Sequence, residues 1–304
     1  MKNLLGEYTN PNEIVNISLT QVNGSSADLI GASVTITNDD TGDTLLAATW
    51  NGSTIITEID INTNYTVSVD SINGYKSPSS QSYTAMYQNE RNVSFQYVAL
   101  GAFVEATDGT LYTASSWSSA GKTANSVVFI TENISVRIAL VEAGLFISNN
   151  EQVSKDNYLE PLPDRVLASV DYNGKSNTAK LVRFNIAYNT NTNSYAAPYC
   201  NNYTFPDGIT KAYLPASGQA LEIAKNKTQI NNCLTVCGGT LLGVYAATYP
   251  GYLWTSTYYG SSGYGYYPMW VVHIESAQVS TYRTPGDFSN DLHLGVRPIA
   301  DYEI

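Results

Sequence analysis

Chemistry in this chain of 304 residues has to come from few reactive groups. There are two histidines, His273 and His293, and three cysteines, Cys200, Cys233 and Cys237. The cysteine count is odd and no CxxC pair occurs, so neither a disulfide framework nor a zinc site is expected. Cys233 and Cys237 stand four apart in a segment of helical spacing, which reads as two buried thiols. Two histidines without paired cysteines or clustered carboxylates make a poor metal set. Ser256, His273 and Asp291 supply the residue types of a hydrolytic triad, but no G-x-S-x-G elbow accompanies them. The expectation is a protein that is not an enzyme and holds no cofactor or metal.

Binding chemistry is better represented. Tyr258, Tyr259, Ser261, Ser262, Tyr264, Tyr266 and Tyr267 stand among Gly260, Gly263 and Gly265. Tyrosine offers a large amphipathic contact at low entropic cost, and Ser and Gly let a loop adapt, which is the logic of antibody paratopes. The plain alternative is a glycine-laced loop on a stable domain. A second patch holds Ser280, Tyr282, Arg283, Asp287, Phe288, Asp291 and His293, with His273 shortly before it. An ordinary polar hairpin and loop would also account for that patch.

Composition narrows the partners. The formal net charge is −11, with 15 Lys+Arg against 26 Asp+Glu, and no basic cluster exists to neutralise phosphates. Nucleic acid and anionic membrane surfaces are disfavoured as partners. No apolar run approaches the ~18 residues of a membrane helix. The opening MKNLLGEYTNPNEIVN has no apolar core of a signal peptide, so export by the general secretory route is not expected.

Two grammars position these residues. Up to residue 99, alternation in Val15–Leu19, Ala32–Ile36, Tyr65–Val69 and Val93–Val98 is punctuated by Asn23-Gly24, Asn51-Gly52 and Asn73-Gly74. Six or seven short antiparallel strands at this spacing predict a small β-sandwich over 1–99. From residue 100 to 304 an α+β domain is expected. It would start with strands in Gly101–Tyr112 and a hairpin around Thr131-Glu132-Asn133. Helices would follow over 177–185, 216–225 and 228–237, then further strands. The first segment, with GASVTITNDDTG and NYTVSVDSINGYKSP, resembles Ig-like modules that serve as spacers or stalks.

An ordered set of short motifs carries a second resemblance. Tyr213-Leu214-Pro215-Ala216-Ser217-Gly218-Gln219-Ala220-Leu221 is similar to a "YLPS-x-GEL" helix opening, and Gly238-Gly239-Thr240 to a "GGT" turn. Leu253-Trp254-Thr255-Ser256-Thr257 is similar to "YWSST", Trp270-Val271-Val272 to "W-x-V", and Val296-Arg297-Pro298-Ile299 to "VRPV". The set resembles the C-type-lectin-like (formylglycine-generating-enzyme-like) fold, and within it the variable proteins of diversity-generating retroelements. That resemblance implies a hypervariable receptor-binding protein of a phage tail or surface structure, with its variable region at about 254–299. Between Thr255 and Ile304 no lysine occurs, and only Met269, Trp270, Glu275, Gln278 and Glu303 fall outside the codon set that such diversification produces. The cysteine pair of the enzymatic relatives is missing from this region, as are the calcium-binding triads of animal lectins.

The sequence therefore predicts a Tyr/Ser/Gly-rich face for an unknown cell-surface protein or glycan. Trp254, Trp270, Val272, Val296 and Pro298 would be its scaffold. The resemblance implies a homo-oligomer, a trimer, or attachment to a fibre, and a virion component ahead of a bacterial surface protein. The alternative is a structural fimbrial or tail-fibre subunit whose second domain packs only against neighbours.

Overall fold

The computed structural model describes residues 12–145, 159–187, 193–244, 251–260, 269–281 and 294–303, with backbone only at 184–187 and 281. The chain divides into two compact units, Met1–Leu100 and Gly101–Ile304.

The first unit is built from β1 (Glu13–Val22), β2 (Ser33–Asn38), β3 (Thr44–Thr49), β4 (Ile55–Ile59), β5 (Asn64–Val69), β6 (Tyr75–Lys76), β7 (Gln81–Thr84) and β8 (Glu90–Ala99). They form two four-stranded sheets, ordered β4-β1-β8-β6 and β3-β2-β5-β7. Every second residue of the alternating stretches faces inward. Val15, Ile17 and Leu19 of β1 and Val93, Phe95 and Tyr97 of β8 meet Val34, Ile36, Tyr65 and Val67 in one core. Strand alternation follows from the two-residue period of the pleat, so one face is buried and the other is wet. The described strands number eight rather than six or seven. The edge strands β3 and β4 leave Leu45 41% and Ile56 68% exposed, while Leu46, Ile55 and Ile59 face the core, so their apolar residues fall on both faces. One pairing departs from the antiparallel expectation. β1 and β8, the first and last strands, run parallel in a register from Ile14↔Glu90 to Val22↔Val98.

At the start of that ladder lies a buried charge. Glu13 is fully buried and accepts hydrogen bonds from Tyr65 Oη (2.5 Å), Arg91 Nε (2.8 Å), Asn89 Nδ2 (2.6 Å) and the Met86 amide (3.0 Å). Burial pushes its pKa up, but these donors outweigh it and hold the carboxyl at about 2. A carboxyl with a depressed folded-state pKa stabilises the fold above its ordinary value and loses that contribution as pH falls. The pair should thus contribute ~3 kcal/mol above pH ~5 that fades toward pH ~2. Glu13→Gln should be less stable at neutral pH and should flatten the acid limb of stability in urea titrations from pH 7 to 2. An unchanged acid limb would remove Glu13 from that role.

The second unit has β9 (Gly101–Ala106), β10 (Leu111–Tyr112), β11 (Ala124–Ile130), β12 (Ser135–Ile138), β13 (Ala143–Leu145), β14 (Tyr252–Tyr258), β15 (Met269–His273), β16 (Gln278–Thr281), β17 (Leu294–Val296) and β18 (Ile299–Asp301). Its described helices are α1 (Ala114–Trp117), α2 (Arg165–Ala168), α3 (Gly174–Ala187), α4 (Ala196–Asn202), α5 (Ser217–Lys225) and α6 (Lys227–Val236). The unit is α+β, with one sheet ordered β10-β9-β11-β12-β18 and another β13-β17-β14-β15-β16. α3, α5 and α6 are the three helices that the apolar spacing predicts.

β14 and β15 are sandwiched on both faces. Leu253, Trp270 and Val272 enter one core with Val127, Phe129, Leu234 and Ile299. Trp254, Val271, Tyr258 and Met269 enter another with Leu181, Cys200, Leu214 and Val296. A strand covered on both sides reads as a continuous apolar run, which is what Met269-Trp270-Val271-Val272 is.

Candidate functional site

The two segments that hold most of the candidate residues attach at one place. Tyr258 pairs with Met269 and Trp270 with Thr281. The C-terminal end of β14, the N-terminal end of β15 and the C-terminal end of β16 therefore share one edge of the sheet. Segment 261–268 begins and ends there, and segment 282–293 begins there. Ser261, Ser262, Tyr264, Tyr266, Tyr267, Tyr282, Arg283, Asp287, Phe288, Asp291 and His293 belong to these segments and lie outside the described residues.

Four candidates can be placed, and they are not displayed together. Tyr258 is 3% exposed and belongs to the core with Trp254 and Met269. The strand carries its ring inward because the position alternates with Leu253 and shares a face with Trp254. Tyr259 is half-buried and sets its ring edge-on to Trp270, with centroids 5.1 Å apart. His273 lies at the far end of β15, paired with Tyr252, and so is separated from the Tyr258 edge by the length of the strand. Its Nδ1 accepts from the Ser276 amide (3.2 Å), and its ring stands edge-on to Tyr252 at 4.6 Å. Ser280 is half-buried in mid-strand opposite Val271. Ser256 of the paper triad is fully buried, out of reach of any substrate. Among the described residues no group of three or more His, Cys, Asp or Glu is placed to hold a metal. The thiols of Cys200 and Cys233 are buried, and burial raises both pKa values, that of Cys233 to about 11, which leaves them unreactive.

The motif residues meet one another. Tyr213 bridges to Ile299, donates to Asp301 Oδ1 (2.6 Å) and accepts from Gln219 Nε2 (3.1 Å). Gln219 Oε1 accepts from the Ala216 amide (3.0 Å), one of the orphan N–H groups where α5 starts. The Ser217 amide donates to Thr257 Oγ1 (2.8 Å), and Thr257 donates to Asp171 (2.6 Å). Gly218 sits where a Cβ would lie 2.6 Å from the Asp171 carbonyl oxygen, so no larger residue fits without a shift. Trp254 Nε1 donates to the Leu145 carbonyl (2.9 Å) and Trp270 Nε1 to that of Leu162 (2.8 Å). Both rings, with Val272, Val296 and Pro298, are buried, as the scaffold reading requires.

The largest polar feature was missed in the sequence. Arg297 is 1% exposed and its guanidinium spans Ala139 O (2.9 Å), Thr240 O (2.7 Å), Leu241 O (3.0 Å) and Glu142 Oε2 (3.2 Å). Burial lowers its pKa, and the Glu142 charge opposes that. Glu142 also accepts from the Gly243 amide (3.1 Å). The one available signal was an arginine between Val296 and Pro298 in an otherwise apolar closing segment.

No protein-family model matches the chain, and no curated protein does. Solved structures with distant likeness include fimbrial and pilus proteins. A fimbrial protein from Bacteroides ovatus is 9% identical with a TM-score of 0.49, covering 96% of this chain and 71% of that one. The pilus backbone RrgB of Streptococcus pneumoniae is 12% identical with a TM-score of 0.22, covering 95% and 58%. A minor pilin of Streptococcus agalactiae is 12% identical with a TM-score of 0.25, covering 30% and 45%. At these values the likenesses establish neither family nor function.

Proposed function

We propose that the protein is a non-enzymatic structural subunit of a cell-surface appendage, with the sandwich as its stalk module. The observation that carries this reading is the parallel pairing of β1 with β8. The chain enters the sandwich at the start of β1 and leaves it at the end of β8, at opposite ends of a ladder ~30 Å long. A module entered at one pole and left at the other adds length in series, which is what a stalk needs. The inward settings of Tyr258 and Tyr259 agree with a domain that packs more than it displays. The reading sets a cell-surface fibre, built with further copies or a fibre partner, ahead of the virion location expected from sequence. Immunogold electron microscopy of producing cells, with antibodies against residues 12–100, should label surface filaments. Label confined to the cell interior or to phage particles would overturn it.

A second reading keeps a ligand-binding role of the receptor-binding, C-type-lectin-like kind for the second unit. The attachment of segments 261–268 and 282–293 at one sheet edge favours it, since two candidate segments then start from a common rim. Changing Tyr264, Tyr266, Tyr267 and Tyr282 to Ser should leave the melting temperature nearly unchanged, as surface substitutions stay within about ±0.5 kcal/mol. It should abolish binding on whole-cell and glycan arrays, because exposed aromatic anchors carry hot spots. A melting temperature that falls sharply with these changes would make the rings core and remove the reading.

A further inference from the structure

Beyond that reading, we propose that a cleft between α3 and the end of β14 is a binding site for a single neutral sugar ring. The cleft has a volume of about 320 Å³ and is bordered by Asp171, Asn173, Ser176, Asn177, Lys180 and Tyr258, with Glu160, Leu159 and Leu162 along one side.

Asp171 fixes its chemistry. The carboxylate is 5% exposed and accepts from Thr257 Oγ1 (2.6 Å), the Asn173 amide (2.9 Å), Asn173 Nδ2 (3.0 Å) and Asn177 Nδ2 (3.1 Å). An ionised carboxylate only accepts, so both asparagines must turn their NH₂ groups toward it. Their carbonyl oxygens are thereby left as acceptors for something else. Ser176 and Lys180 are four apart on α3, which sets them on one face of the helix. The side chains of Ser176, Lys180 and Glu160 make no hydrogen bond to another described residue. The cleft thus offers two oriented amide oxygens, a carboxylate, a hydroxyl and an ammonium beside the apolar edges of Tyr258, Leu159 and Leu162.

That set selects among ligands. Two carboxylates against one ammonium disfavour a phosphate or other anion. Asp171 is already committed to four donors, which leaves a bare cation little to coordinate. A hydroxyl-rich ring suits the mixture, because each hydroxyl both donates and accepts while the ring's C–H face is apolar. Ligand pockets run from about 300 to 1,000 Å³, so this one, at the lower end, takes one ring and not an oligosaccharide chain.

The test is saturation-transfer NMR on the full chain with the methyl glycosides of glucose, galactose, mannose, fucose and N-acetylglucosamine, and inorganic phosphate as a competitor. At least one glycoside should bind saturably with a Kd near ~1 mM. Phosphate should not displace it. Lys180→Met and Ser176→Ala, which leave the Asp171 hydrogen bonds untouched, should keep the melting temperature and weaken binding tenfold or more. Asn173→Ala should do the same, with its melting temperature checked because it contacts Asp171. No saturable binding at ~50 mM, well above the ~1 mM expected, would overturn the proposal. So would binding that all three variants retain, or binding of phosphate in place of the sugars.

Discussion

Arg297→Met should cost about 3–5 kcal/mol, since removing one partner of a buried ion pair strands the other charge. Glu142, which also accepts from the Gly243 amide, would lose its opposite charge, and the carbonyls of Ala139, Thr240 and Leu241 would lose the guanidinium. Lysine is no substitute. Its single ammonium cannot reach four acceptors that a planar fork serves at once. The companion experiment is the double change Arg297→Met with Glu142→Leu. It should recover part of the loss, because an apolar pair leaves no uncompensated charge behind. Gly295 limits how far the site can adjust, as a Cβ there would lie 2.7 Å from Leu253 and 2.9 Å from Glu142 Oε1. Urea unfolding of the three proteins settles it. A single variant within ~1 kcal/mol of the parent, or a double no better than the single, would show that the pair does not hold the segment.

Trp254→Ala and Trp270→Ala should each cost about 3–5 kcal/mol, by lost transfer energy and by the cavity left behind. The two rings sit on opposite faces of the same two-strand ribbon, one in each core. Their losses should be nearly additive where the two cores share no side chain. Each indole N–H also reaches a backbone carbonyl, Leu145 for Trp254 and Leu162 for Trp270. Trp→Phe at either site should therefore still be costly, by about 1–3 kcal/mol for the carbonyl left unpaired. Denaturant midpoints should fall with little change in slope, since the fold and the surface it exposes stay the same. A loss below ~1 kcal/mol for either alanine variant would mean that its core collapses to fill the gap.

How much of this was legible depended on the kind of force involved. Val15, Ile17 and Leu19 announce their strand because one wet face and one dry face write an alternating code. Leu221, Ala224 and Leu234 announce their helices in the same way. Trp254 and Trp270 were read as scaffold from motif likeness, and their burial agrees. α4 was not legible. Its Pro198 sits in the first turn, where the backbone N–H would have no partner in any case, so the proline does not break the helix it would seem to forbid. The buried charges were hidden for another reason. Glu142 and Arg297 are 155 positions apart, and Asp171 and Thr257 are 86 apart. Nothing local in either residue reveals a partner that only the folded chain supplies. The burial of Tyr258 is hidden in the same way, because a tyrosine looks the same in a paratope and in a core until its strand's facing is known.

The parallel ladder of β1 and β8 has a consequence for tension. A pull on the chain before Asn12 and after Ala99 drives the two strands past each other along their length. All nine residue pairs then resist in shear at the same moment, where an antiparallel terminal pair would be peeled open one rung after another. The Glu13–Arg91 bridge pins the rung beside the loaded entry of β1. Forced unfolding is governed by the unfolding rate and not by the equilibrium free energy. The sandwich can therefore be an ordinary domain toward heat and urea and still be a stiff link toward a stretching force.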